Sequence, residues 1–222
     1  MVKRIICGMV QKKKKAPQVK SDPPVKRRGR PRAFEPEIAL SKAINAFRDG
    51  GFAATSLDDL SEAMGINRPS LYGTFGDKRE LFLKAYQRYR QDMNAAFAVA
   101  FVPGLSLRQT LEKVYAIAID IYLSGENGPR GCFTVMTATS EAMSDPEIRA
   151  LVQKALGNGQ RTLTKRLEQA VADGELSPNA NIPVLAQIAA GAFDSLAIRA
   201  RARVPRSELE AIAANTVDLI CG

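Results

Sequence analysis

The sequence predicts an all-α fold of about nine helices, and three observations predict it. From Phe34 onward apolar residues recur at three- and four-residue steps, the repeat of one helix face. The stretches of alternating Val, Ile and Thr that would make half-buried strands are absent from the sequence. Clusters of Gly, Pro, Ser and Asp fall at helix-length intervals, where helices stop and start.

The chain has 222 residues, enough for one or two domains of roughly 100–200 residues each. It holds no His and no Trp. Without imidazole, Ser-His-Asp and Cys-His catalysis and His-ligated zinc are excluded, so an enzyme is not expected. Nothing in the sequence asks for a cofactor or a metal. Cys7, Cys132 and Cys221 are far apart and form no CxxC pair, which fits reduced thiols. The most apolar stretch, 182–198, is interrupted by Pro183, Gln187 and Asp194, so no membrane span is expected and the reading is a cytoplasmic protein.

Charge is unevenly placed. Residues 1–32 hold twelve bases and one acid, whereas the remainder holds 20 bases and 22 acids. A basic arm on a near-neutral globule points to a polyanionic partner. Residues 1–33 mix Lys, Arg, Pro and Gly with few apolar residues, the composition of a disordered arm.

The first helix carries Ala39, Leu40, Ala43, Ile44 and Phe47 on one face and stops at Gly50-Gly51. Ser56-Leu57-Asp58-Asp59 reads as a capping box with Asp in the acidic position, opening a short helix that Gly65 closes. Asn67 caps the next, where Pro69 is tolerated because it sits in the first turn. Asp77 to Glu80 opens a long helix through Leu81, Phe82, Ala85, Tyr86 and Tyr89. Further helices are expected near 106–123, 131–143, 147–172, 182–202 and 206–220. The domains are then the arm 1–33, a helix-turn-helix unit 34–80, and a helical bundle 81–222.

Two short helices joined through Gly65-Ile66-Asn67 make a helix-turn-helix or an ordinary buried hairpin. As a helix-turn-helix, the second helix presents Arg68, Pro69, Ser70 and Thr74 to a major groove. Arg68 can donate two hydrogen bonds to a guanine edge, and Ser70 and Thr74 are short enough to reach bases. Tyr72 and Lys78 suit phosphates, and the helix start near Thr55 and Ser56 offers backbone N–H groups to another.

Residues 34–89 resemble the DNA-binding domain of TetR/AcrR-type transcriptional regulators. The resemblance rests on Ala43 to Phe47 with Gly50-Gly51-Phe52, Thr55 to Leu60, Ala63 to Ile66, and above all Leu71 to Phe82, similar to the family's LYxxFxxKxxL signature. Pro69 departs from the pattern by removing a backbone donor from the recognition helix. The resemblance implies a homodimer on double-stranded, palindromic DNA, most simply a repressor released when a small-molecule effector enters the bundle. It also implies a two-chain four-helix bundle, for which the candidates are Leu185, Ile188, Ala189, Ala192, Phe193 and Leu196 with Leu209, Ile212, Ala213, Thr216 and Ile220. Packing within one chain is the alternative use of those stripes.

Candidate effector-pocket residues are Phe97, Phe101, Tyr115, Tyr122, Cys132 and Met136, with Asp120, Thr137 and Glu141 as orienting polar groups. Cys132 follows Arg130 near an expected helix start, two features that favour a thiolate able to sense oxidants or electrophiles. The long helix from Lys78 would carry the effector's signal to the DNA-binding unit. In the arm, Arg28-Gly29-Arg30-Pro31-Arg32 resembles an AT-hook core, with Arg30 and Arg32 reaching into a narrow minor groove or simply forming a solvated basic tail. The competing reading is an architectural, nucleoid-type DNA binder led by this arm and lacking an effector. Deleting residues 1–27 separates the two. Sequence preference should survive while the salt dependence of binding falls by about 0.9 in log–log slope per lost phosphate contact; loss of all preference would favour the arm-led reading.

Overall fold

The structure, a computed structural model, describes residues 34–222. Among them are nine α-helices and no strand: α1 Pro36–Ala54, α2 Leu57–Met64, α3 Arg68–Phe75, α4 Lys78–Ala98, α5 Leu107–Leu123, α6 Thr139–Glu141, α7 Pro146–Ala172, α8 Ile182–Arg201 and α9 Arg206–Cys221. The all-α expectation holds.

Local chemistry sets the boundaries. The Ser56 side chain accepts from the Asp59 N–H at 3.1 Å while the Ser56 N–H donates to Asp59 at 2.7 Å, the reciprocal cap expected from sequence. The same device opens α4 through Asp77 and Glu80, and α5 through Ser106 and Gln109. Asn67 accepts from the Ser70 N–H at 2.9 Å and starts α3. Gly65 ends α2 with φ 69°, a left-handed conformation that costs a residue without Cβ little. Gly51, at φ 79° and ψ 175°, breaks α1, after which one more helical turn runs to Ala54.

One segment differs from the sequence reading. The helix expected over 131–143 begins later, and Thr134–Ala138 is π-helical before the single turn of α6. Gly131 has φ 66°, and a Cβ there would stand 2.8 Å from the Ala197 carbonyl, so the chain turns before it coils. The extra residue of a π turn accompanies tertiary anchoring of both its buried threonines: Thr134 meets the Tyr86 hydroxyl at 3.2 Å, and Thr137 donates to the Phe47 carbonyl at 3.5 Å.

The core is continuous from the first helices into the bundle. Ala43, Ile44 and Phe47 of α1, Leu60 and Met64 of α2, and Leu71 and Phe75 of α3 are buried with Leu81, Phe82 and Ala85 of α4. Phe82 meets Phe47 and Phe52 edge-on at 5.2 and 5.1 Å. On its other side lies Phe133, fully buried and ringed edge-on by Phe82, Tyr86 and Tyr89 at 5.4, 5.7 and 5.5 Å. Offset and edge-to-face geometries are the favourable ones for such rings.

α8 is long and apolar enough to cross a membrane, with mean hydropathy 1.3. Here it lies against α5, α7 and α9 and buries Ala186, Ala189, Leu196, Ala197 and Ala200. Truncating the ring that joins the two halves should be costly: Phe133→Ala is expected to lower the unfolding free energy by about 3–5 kcal/mol, read as a shift of the denaturant midpoint.

Candidate nucleic-acid interface

α2 and α3 pack their apolar sides inward and leave one edge of α3 open. Leu71 and Phe75 face the core, Ile66 plugs the turn, and Arg68, Pro69 and Tyr72 are exposed, with Ser70 and Thr74 at the margin. Pro69 takes the second helical position, where its missing N–H breaks no intrahelical bond. The exposed edge is therefore short, held by caps at both ends, and carries the side chains that the sequence singled out.

Three details refine the expected contacts. Thr55 is buried, and its hydroxyl donates to the Gly51 carbonyl at 2.6 Å, which takes that side chain away from DNA and leaves Ser56 as the exposed residue at the start of α2. Lys78 places its ammonium 4.5 Å from the centre of the Phe52 ring. Arg68 is not free either: its Nε–H donates to Asp58 at 2.7 Å, and Nη2 lies 2.6 Å from the second carboxylate oxygen. Sequence reasoning missed Asp58 as a partner because ten residues and a turn separate the two. It also missed Lys42 of α1, exposed beside the turn, whose Nζ is 3.9 Å from where a Gly65 Cβ would stand. Arg30 and Arg32 lie outside the described residues.

Residues 39–85 match the family described as bacterial regulatory proteins, tetR family, and residues 108–215 match the tetracyclin repressor-like C-terminal domain. The chain is 32% identical to the Escherichia coli (strain K12) HTH-type transcriptional repressor ComR, over 87% of this chain and 92% of that one. The chain belongs to the TetR family. It is a DNA-binding transcriptional regulator. The E. coli HTH-type transcriptional repressor BdcR is 46% identical over 121 residues, 54% of this chain and 59% of that protein. A cysteine mutant of the TetR family transcriptional regulator CifR, complexed with 26-base-pair operator DNA, superposes with a TM-score of 0.74 at 31% identity, covering 86% of this chain and 98% of that one.

The bundle of this TetR-family chain holds a half-open cavity of about 810 Å³ walled by α4, α5, α7, α8 and the start of the π-helical segment. Phe97, Phe101, Tyr122 and Cys132, four of the candidates named from sequence, line it. Five other candidates lie elsewhere. Tyr115 stands behind Phe193, with 4.7 Å between ring centres, and donates to the Ala189 carbonyl at 2.9 Å. Asp120 is on the outer surface and pairs with Arg206 at 2.7 Å. Thr137 turns to α1, Met136 lies over Gly131, and Glu141 sits in the turn before α7, its carbonyl accepting from Ser144 and Asp145. One polar wall group that sequence reading overlooked is Asp194 of α8. It has no hydrogen-bond partner among the described residues, and partial burial pushes its carboxyl pKa up.

Cys132 is buried and accepts from the Tyr89 hydroxyl at 3.6 Å. Arg130, its expected cationic neighbour, instead grips Asp49 of α1 at 2.5 and 2.9 Å and Asn45 at 3.2 Å. Beside it, Arg48 is buried, donating to the carbonyls of Gly131 at 2.7 Å and Ile121 at 3.1 Å, with its guanidinium 5.4 Å from the centre of the Tyr89 ring. Burial lowers the Arg48 pKa, opposed by Tyr89 and Asp49. Arg201 of α8 donates to the carbonyls of Arg48 and Asp49 at 3.0 and 2.8 Å. α1 is thus clamped to the wall that carries Cys132.

The stripes proposed for a dimer divide differently. Ala189, Leu196 and Leu209 are fully buried within one chain, and Ala192, Ala213 and Ile220 nearly so. Phe193 packs on Phe97 and borders the cavity, and Leu185 is half-buried. Helices apolar on two sides carry two stripes, and spacing alone cannot say which faces inward. The outward one runs through Val184, Ile188, Gly191, Ser195 and Ile198 of α8, beside Ile212, Thr216 and Leu219 of α9.

A second tie joins the two halves at the start of α4. Arg79 holds Asp145 at 2.5 and 3.0 Å and Glu147 at 2.7 Å. The Arg79 hydrogen bonds bring the Asp145 pKa down from 3.8 to about 2. A depressed carboxylate pKa stabilises the fold above 3.8 and ceases to do so as pH falls through about 2. In Arg79→Ala the Asp145 midpoint, followed by carboxyl-carbon NMR, should rise from about 2 toward 3.8.

Proposed function

We propose that this chain is a cytoplasmic repressor that grips a palindromic operator as a homodimer and leaves it when a small molecule enters the bundle cavity. The observation that carries this reading is the clamp between cavity and reading head. Cys132 and Tyr122 wall the cavity; Tyr89 bonds Cys132 and lies under Arg48; Arg48 and Asp49 belong to α1, which packs on α2 and α4. A ligand that displaces the Cys132 wall would therefore move α1 as well as α4. Its effect is limited by its differential affinity for the two arrangements. Relatives support the reading, since ComR and BdcR bear the name of transcriptional repressors and CifR is seen on operator DNA.

One reading head buries too little surface for tight specific binding, and two-fold pairing with heads about 34–36 Å apart matches one turn of DNA. The outward stripe of α8 and α9 is the surface we assign to that pairing. Its apolar groups, Val184, Ile188 and Ile198, are 47%, 37% and 52% exposed in the single chain. Thr137, Met136, Asp120, Glu141 and Tyr115 are replaced as effector contacts by Met93, Asn94, Gln187 and Asp194.

The test uses the full chain and an inverted-repeat operator selected from a random pool. Preference over scrambled duplex should reach about a thousandfold or more at moderate ionic strength. Ile188→Glu combined with Ile198→Glu should yield monomers by sedimentation and lose most of that preference. Absence of any preference in the parent chain, or an unaltered dimer in the double variant, would overturn the corresponding half of the reading.

A further inference from the structure

Asp58 and Arg68 form a two-point pair where α2 meets α3, with Nε to Oδ1 at 2.7 Å and Nη2 to Oδ2 at 2.6 Å. The two side chains are 75% and 52% exposed. A pair so open to water contributes little to folding. Nor is Asp58 needed to start α2, because the reciprocal cap there is made by Ser56 and Asp59. Yet an acid on a surface that approaches a polyanion weakens binding unless it serves another purpose.

The geometry supplies one. A guanidinium has five N–H donors in a planar fork. Asp58 takes the Nε–H and one Nη2–H along the side of that fork. The two parallel N–H bonds at its far end, one from Nη1 and one from Nη2, are left unspent. Two parallel donors match the O6 and N7 acceptors of guanine; adenine offers N7 beside a donor amino group, and pyrimidines present no such pair. A fixed fork also loses its side-chain freedom before DNA arrives, so less is lost on reading. Pairing with an acid further makes Arg68 a poorer phosphate ligand, which directs it to bases.

We propose that Asp58 is a positioning residue that aims the Arg68 fork at one guanine in each operator half-site, and so sets sequence specificity. This rests on operator binding by the α2–α3 unit. The acid acts only through Arg68 and opposes binding to unrelated DNA.

Selection from a randomised inverted repeat, using the full-length parent and its variants, tests it. The parent should favour guanine at one symmetric position by about 10–100-fold, and Arg68→Ala should flatten that position alone. Asp58→Asn should cut the guanine preference at least threefold while binding scrambled duplex more tightly. Asp58→Glu keeps the charge but lengthens the arm by one methylene, so it too should weaken the preference if aim rather than charge is at work. Thermal melting checks that each variant folds, and should Asp58→Asn fail, Asp58→Glu carries the test. An unchanged guanine position in the folded Asp58 variants, or a uniform loss at all positions in Arg68→Ala, overturns the proposal. A parent that selects no sequence would instead sink the operator reading beneath it.

Discussion

Phe133 and Arg48 both pack against one tyrosine, Tyr89, and the rest of the molecule is arranged around that junction. Tyr89 meets Phe133 edge-to-face, lays its ring under Arg48, and gives its hydroxyl to Cys132. Burial pushes the Tyr89 pKa well up, so the hydroxyl remains a donor over the ordinary pH range. The carbonyls that Arg48 holds belong to α5 and to the Gly131 turn. Four segments distant in sequence are therefore tied at a single place by aromatic contact and charge-assisted hydrogen bonds, both sensitive to displacements of a few tenths of an ångström.

This junction also explains why the bundle is not a detachable appendage to the DNA-binding helices. α4 has one end in the cap that follows α3 and its middle in the aromatic ring around Phe133. The Arg130–Asp49 and Arg79–Asp145 pairs add two further ties. Together these ties restrict how α1 and α4 can move relative to the cavity, which favours a change between packed arrangements over gradual bending.

Sequence alone located the α2–α3 unit well, because local rules decide it: a Ser-Asp cap, a left-handed Gly, an Asn cap and an apolar plug are each written within a few neighbouring residues. The cavity was legible only in part. Phe97, Phe101, Tyr122 and Cys132 are apolar on helices that must pack somewhere, whereas Asp120 and Asp194 are both acids on amphipathic helices, and only the neighbouring elements reveal that one meets Arg206 and the other an internal space. Helix pairing on α8 and α9 was ambiguous for the same reason, since Leu196 and Ile198 differ in face but not in kind. Arg48 gave the faintest signal, a charge at the spacing of Ile44 on an otherwise apolar face. The π-helical turn at Thr134 had none; its buried threonines are held by tertiary contacts with Tyr86 and Phe47.

Gly191 falls on the outward stripe of α8 and also lines the half-open cavity, so the two surfaces meet at a residue without a side chain. On the proposed function, a ligand in the cavity and a partner chain on the stripe would both bear on that backbone. Small-molecule occupancy and self-association would then be reciprocally linked in free energy. Were the proposed effector and homodimer both in place, the dose of ligand needed to empty an operator would depend on how much regulator the cell contains.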